Sequence, residues 1–153
     1  MSLKIAKQSR INGKHIKHSA NTKLVSVIER ETTFLVKSKT PFISAVKQIQ
    51  RSLDKFNKKI NKKSTNKYQG GDYKKVKYIV VKGMGKAMEK TLSLGVHFEE
   101  NYKVDVFTGS VEVLDEFKIN ENASDSEDED DEETIYKKRM VSYVELRIWL
   151  QRE

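Results

Sequence analysis
The chain contains no cysteine. That excludes disulfides, thiolate zinc sites and thiol catalysis, and several enzyme classes go with them. Long apolar runs are missing too: none approaches the roughly 20 residues a helix needs to cross a bilayer. No membrane span is expected. The opening stretch "MSLKIAKQSRINGKHIKHSA" is basic but has no apolar segment followed by a small-residue cleavage site, so it is not read as a secretory signal. The protein is expected to stay inside the cell. No internal repeat is visible, and no nucleophile, base and oxyanion set can be assembled. His15, His18 and His97 have no further ligands at metal-binding spacing, so neither a metal nor a cofactor is expected.

What the chain does have is charge, unevenly placed. Its 153 residues carry a formal net charge of +8, yet "NENASDSEDEDDEET", Asn120 to Thr134, holds nine acidic residues and no basic one. Setting those nine negative charges aside leaves +17 on the remainder. So basic a domain attracts a polyanion, and nucleic acid is the commonest. A basic surface kept for solubility is the alternative. The acidic run is no two-metal site, because a disordered tip cannot fix carboxylates at a set separation.

Residues 1–28 show no sustained periodicity and read as a basic disordered arm. "ETTFLVKSK", Glu31 to Lys39, is β-branched and aromatic and reads as a strand. Thr40 is placed to cap the next helix, with Pro41 in its first turn, where a missing N–H costs nothing. Phe42, Val46, Ile49, Leu53, Phe56 and Ile60 then make one apolar stripe, and Lys47, Arg51, Lys55 and Lys58 a basic one. Residues 61–75 read as a flexible connection. "VKYIVVKG" reads as a buried strand ending at Gly83. A helix is expected from Lys86 to Glu100, with Ala87, Met88, Thr91, Leu92, Leu94, Gly95 and Phe98 inward and Lys86, Lys90, Ser93 and His97 exposed. Lys103 to Phe117 alternates as a long strand whose phase slips near Gly109, where a bulge is expected. In the last strand, Met140 to Leu150, Val144, Leu146, Ile148 and Leu150 alternate with Tyr143, Glu145, Arg147 and Trp149. Residues 119–135 would be an acidic disordered hairpin loop.

The order is β-α-β-α-β-β: an α/β two-layer sandwich, with two helices on one face of a four-stranded mixed sheet and a long acidic hairpin tip. The other sheet face is left to solvent or a partner, with Tyr143 and Trp149 turned to it.

"VKGMGKAMEK" raises the question of a nucleotide loop. A Walker-type loop needs a glycine where Val80 stands and a hydroxyl residue where Ala87 stands, and a dinucleotide fingerprint needs a glycine where Met88 stands. All three requirements fail. What remains is a strand-to-helix turn at which backbone can approach a phosphate, with Lys82, Lys86 and Lys90 adding charge. A plain tight turn with solvated lysines is the simpler reading.

The succession "TPFISAVKQI", "GMGKAMEKTLSLGVHF", "VEVLDEF", an acidic hairpin tip and "KKRMVSYVELRIWL" resembles the Alba family of small nucleic-acid-binding proteins. Within it, the chain is most similar to the smaller Alba-type protein subunit of eukaryotic ribonuclease P and ribonuclease MRP, over Thr32 to Leu150. The resemblance implies an Alba-like RNA-binding domain at 29–150, nuclear and nucleolar, without catalytic residues of its own. It further implies a heterodimer with a second Alba-type subunit, clamping an internal-loop domain of ribonuclease P RNA or ribonuclease MRP RNA, and in some lineages telomerase RNA, beside other holoenzyme proteins. Such a protein supports tRNA 5′ maturation and rRNA processing. RNA binding would fall on Lys37, Ser38, Lys39, Thr40 and Pro41, and on Lys82, Gly83, Met84, Gly85, Lys86 and Lys90. The partner would meet Leu94, Val96, His97, Phe98, Val104 and Val106, although Leu94 and Phe98 also read as core.

Two features depart from the Alba pattern: only Lys39 remains of a lysine pair before the proline, and the hairpin carries acids where many Alba proteins carry basic arms. Acid at the tip repels duplex DNA and argues for a restricted RNA site. A DNA- or chromatin-binding Alba protein, and an assembly subunit without RNA contact, are the alternatives. Ser124 and Ser126 each have an acid three residues on, Glu127 and Glu129, and resemble casein kinase 2 acceptor sites.

Overall fold
The apolar stripe beginning at Phe42 forms a helix at Phe42–Asn57, and Ala45, Ile49, Leu53 and Phe56 on it are buried. Burying each larger side chain contributes about 1.5–3 kcal/mol, enough to hold a helix with this many lysines in place. The computed structural model describes residues 13–18, 20, 24, 26–57, 74–120 and 132–151. Among them are strands β1 (Lys14–Ile16), β2 (Thr33–Val36), β3 (Tyr78–Met84), β4 (Val104–Asn120) and β5 (Glu132–Trp149). The helices are α1 (Val27–Thr32), α2 (Phe42–Asn57) and α3 (Met88–Glu99), the last entered through a 3-10 turn at Gly85–Ala87. The five strands are ordered β1-β4-β5-β3-β2. This is an α/β fold with a mixed sheet, one strand and one helix richer than expected.

The chain divides into two compact units, residues 21–111 with 141–153, and residues 1–20 with 112–140. In the first, β2 runs parallel to β3 from Thr33↔Val80 to Val36↔Gly83, and β3 antiparallel to β5 from Tyr78↔Trp149 to Met84↔Tyr143. Ile79 and Val81 of β3 and Val144, Leu146 and Ile148 of β5 join Ile49, Leu53 and Phe56 of α2 and Leu94 and Phe98 of α3 in one core. Both long helices therefore cover one face of this sheet. The alternate residues Tyr78, Val80, Lys82, Tyr143, Glu145, Arg147 and Trp149 lie on the other face, half-buried.

Several expectations need correction. Glu31 and Thr32 belong to α1, because Ser26 and Glu29 build a capping box that starts a helix there: Ser26 Oγ accepts from Glu29 N–H at 3.1 Å and Glu29 Oε2 from Ser26 N–H at 3.3 Å. Thr40 does not cap α2, since its hydroxyl accepts from Lys37 N–H at 3.0 Å. Phe42 and Leu92 are 37% and 45% exposed rather than inward. Gly109, where the bulge is expected, lies within β4, and a side chain there would meet the Tyr143 ring at 2.6 Å, so the glycine makes room for an aromatic ring. Ile60, most of the 61–75 connection, the acidic run up to residue 131, and Ser124 and Ser126 lie outside the described residues.

In the other unit, β1 falls within the stretch expected to be an arm and pairs antiparallel with β4, Lys14↔Lys118 to Ile16↔Glu116. His15 stacks on Phe117 with ring centroids 4.4 Å apart. Arg139 clamps buried Asp115 through Nε at 2.7 Å and Nη2 at 3.2 Å, and Nη2 also donates to the His18 carbonyl at 3.0 Å. The Arg139 guanidinium, helped by His15 and opposed by burial, holds the Asp115 carboxyl down from 3.8 to about 2. Folding thus favours ionised Asp115; its contribution is complete above pH 3.8 and lost as pH falls towards 2. In Arg139→Ala, amide exchange at Ile16 is expected to quicken roughly tenfold at neutral pH, and acid to release β1 at higher pH than in the wild type. Hydrogen exchange measured across an acid series checks both, and equal exchange in the two proteins would count against the clamp.

Candidate nucleic-acid interface
Two strand-to-helix turns, 50 residues apart in sequence, are tied to each other. After β2 the chain turns through Lys37 to Thr40, closed by Thr40 N–H donating to the Lys37 carbonyl at 3.0 Å. After β3 it turns through Gly85, whose φ of +56° is the left-handed conformation that disfavours a side chain. Lys90, in the first turn of α3, reaches back to the first turn and donates to the carbonyls of Ser38 at 2.9 Å and Thr40 at 2.5 Å. The two turns become one surface. Lys37, Ser38, Lys39 and Pro41 from one side and Gly85 and Lys86 from the other are exposed on it. No side chain caps either the 3-10 turn or α3, which suits that helix start to an anion.

The expected RNA-binding set is thereby sorted. Lys90 is spent on backbone carbonyls and acts as a brace. Gly83 has a packing role: a Cβ there would stand 1.9 Å from Thr91 Oγ1 and 2.9 Å from the Ala87 carbonyl oxygen, so the glycine lets α3 sit on β3. Lys82 points to the sheet face away from the helices, its Nζ 4.3 Å from the centre of the Tyr143 ring, and Met84 shares that face. Of the basic stripe on α2, Lys47 and Arg51 are exposed, whereas Lys55 pairs with Glu31 at 2.8 Å. Lys58 lies outside the described residues.

The expected partner surface is sorted as well. Leu94 and Phe98 are core, 0% and 2% exposed. Val104 packs partly against that core, while Val96 and Val106 are 68% and 52% exposed. His97 is exposed and sits edge-on to Phe42 at 6.3 Å. Leu92, one helical turn before Val96, extends the exposed apolar line.

Some groups of evident importance escaped sequence reasoning. Asp115 stands in the strand phase of Val113 and Phe117, a charge where apolar residues recur, and that was its only signal; Arg139, in the run Lys137-Lys138-Arg139, carried none. Arg147 lies between the rings of Phe107 at 4.3 Å and Tyr78 at 5.0 Å, which nothing in the spacing of the three residues announces. Among the described residues no group of three or more His, Asp or Glu is placed to hold a metal ion. A cleft of about 850 Å³ lies on the sheet side, with Tyr78, Val80, Lys82 and Glu145 among its lining and Ile28 and Glu29 of α1 beside them. It includes none of the turn residues.

The family model for the Rpp20 subunit of nuclear RNase MRP and P matches residues 29–147, a span that holds both turns, both long helices and nearly all of β5. Over 126 residues the chain is 45% identical to the ribonucleases P/MRP protein subunit POP7 of Saccharomyces cerevisiae, covering 78% of this chain and 79% of the yeast protein. A family match over most of the chain, together with identity of this degree, establishes that the chain belongs to the Rpp20 family of nuclear RNase MRP and P subunits.

Proposed function
We propose that the protein is a non-catalytic subunit of ribonuclease P and ribonuclease MRP that binds their RNA and pairs with a second Alba-type subunit to clamp a helical internal-loop domain. Its work is to hold the catalytic RNA in shape for tRNA 5′ maturation and rRNA processing, in the nucleus and nucleolus, and a related element of telomerase RNA suits the same surface. The observation that carries this reading is the brace from Lys90 to Ser38 and Thr40, which joins two basic turns into one surface. Lys37, Lys39 and Lys86 supply its charge. Backbone positions beside them are exposed, and the acid that adjoins them is Glu89 in the first turn of α3.

The test is purification of the tagged protein from its own cells. Ribonuclease P or MRP RNA together with a second Alba-type protein is the expected yield; histones with bulk DNA would overturn the reading. Partner contact has its own test. Val96→Asp places a charge on an exposed apolar line without touching the core, so the chain is expected to fold with an unchanged melting temperature and lose at least about tenfold in affinity for the second subunit. Size-exclusion chromatography of the mixed subunits reads this directly, and an intact heterodimer would move the interface elsewhere.

A further inference from the structure
The sheet face turned away from α2 and α3 carries more chemistry than an unused surface needs. Along β5, Tyr143, Arg147 and Trp149 all point to this face, and each is matched with an oppositely natured group: Lys82 stands 4.3 Å from the Tyr143 ring, Arg147 lies between Tyr78 and Phe107, and Lys103 stands 5.1 Å from Trp149. Flat rings and cations thus alternate across three strands. Of the two acids there, Asp105 is occupied, accepting from Trp149 Nε1 at 2.7 Å, and Glu145 makes one long contact of 3.5 Å with Arg147 Nη2. Cations remain in excess.

Arg147 is the centre of this array. The two rings fix its guanidinium plane, its Nε is buried without a hydrogen-bond partner, and its side chain is still 34% exposed. A guanidinium has five donors, and a buried donor left unpaired carries a free-energy cost that an incoming acceptor would remove. Its planar fork suits a phosphate or a base edge. Phe107 beside it is 42% exposed, so a second flat surface is available.

We propose that this face is a second RNA-binding surface that takes a short unpaired segment, its bases stacking on Phe107 and its ring neighbours and its backbone accepting from Arg147 and Lys82. The proposal rests on the RNA-binding reading and adds a site to it. Single-stranded RNA is the occupant that fits: stacking platforms with interleaved cations are how proteins hold unpaired bases, whereas a duplex presents no free base faces. An acidic protein segment would engage the cations but leave the rings without a use. The cleft lined by Tyr78, Val80 and Lys82 continues this face and gives the segment room. The turn surface and the sheet face then divide the work, the first taking paired backbone and the second unpaired bases.

The full chain provides its own probe, because Trp149 is its single tryptophan and sits on the proposed face. Fluorescein-labelled oligouridylate, which forms no duplex, is titrated while anisotropy and Trp149 emission are followed. Binding with quenched emission is expected. Phe107→Ala should weaken it by roughly tenfold, on the scale of one stacked base. Arg147→Lys, which keeps the charge but loses the fork, should weaken it by a similar factor, while Lys37→Ala with Lys39→Ala leaves the quench in place. Phe107 is exposed enough for its variant to fold, which circular dichroism verifies. Binding without any change in Trp149 emission, or wild-type affinity in both face variants, would overturn the proposal while leaving RNA binding at the turns intact. Quenching by polyglutamate and not by oligouridylate would overturn it in favour of an acidic protein partner. If neither oligouridylate nor ribonuclease P RNA binds, the RNA-binding reading itself falls.

Discussion

Replacing Lys37, Lys39 and Lys86 together by alanine is expected to lower affinity for ribonuclease P RNA roughly 100-fold at physiological salt, and to flatten the dependence of log K on log salt by about 2 to 3 units. The slope follows from counterion release: each phosphate contact contributes about 0.7 to 0.9, and three lysines make up to three such contacts. All three side chains are exposed, and no core residue changes, so the melting temperature should move little. Affinity and slope must fall together for the turns to be the phosphate site. A variant that binds as tightly as the wild type, with the same slope, would assign the subunit's place in the holoenzyme to protein contacts alone.

The second large effect is on stability. Gly83→Ala puts a methyl group 1.9 Å from Thr91 Oγ1 and 2.9 Å from the Ala87 carbonyl oxygen, in a strand–helix contact where backbone cannot yield as a side-chain tip can. Overpacking of this kind costs about 1–3 kcal/mol and sometimes more, so a fall of roughly 10 °C in melting temperature is expected. Adding Thr91→Ala removes the nearer clash but leaves the carbonyl, and recovers only part of the loss. Gly85→Ala makes the informative contrast: its φ is the disfavoured one, yet nothing stands within 4 Å of the added carbon, so only about 1–2 kcal/mol of backbone strain is at stake. Thermal unfolding of the three variants ranks them, and a Gly83 variant as stable as the Gly85 one would refute this packing account.

These contrasts mark what could be read in the chain beforehand. Ile49, Leu53 and Phe56 were legible because helical period alone brings them together. Phe42 was not, since in the first turn of α2 it meets exposed His97 edge-on rather than the core and remains 37% exposed. Strand Thr33–Val36 was visible, but its start was misplaced by β-branched threonines, whose preference yields to the capping box of Ser26 and Glu29. That box is itself a sequence pattern and could have been found. The three-residue β1 could not: its partners are about a hundred residues away, and three residues carry no period. At the site, the exposed lysines of both turns were legible from polarity and from glycine. The duties of Lys82 and Lys90 were not, because each depends on a residue brought near only by the fold, the Tyr143 ring in one case and the Ser38 and Thr40 carbonyls in the other.

Lys90 has one more consequence. Its ammonium holds two loops in register while standing behind them, so any change that cancels its charge, acetylation included, would let the loops drift without subtracting a phosphate contact. In an alanine scan it would look like an RNA ligand by affinity. Its salt dependence would betray it, weak binding with an unaltered slope being the signature of a disordered scaffold. A modification at that single amine would therefore loosen the surface formed by the two turns while leaving each of its exposed lysines in place.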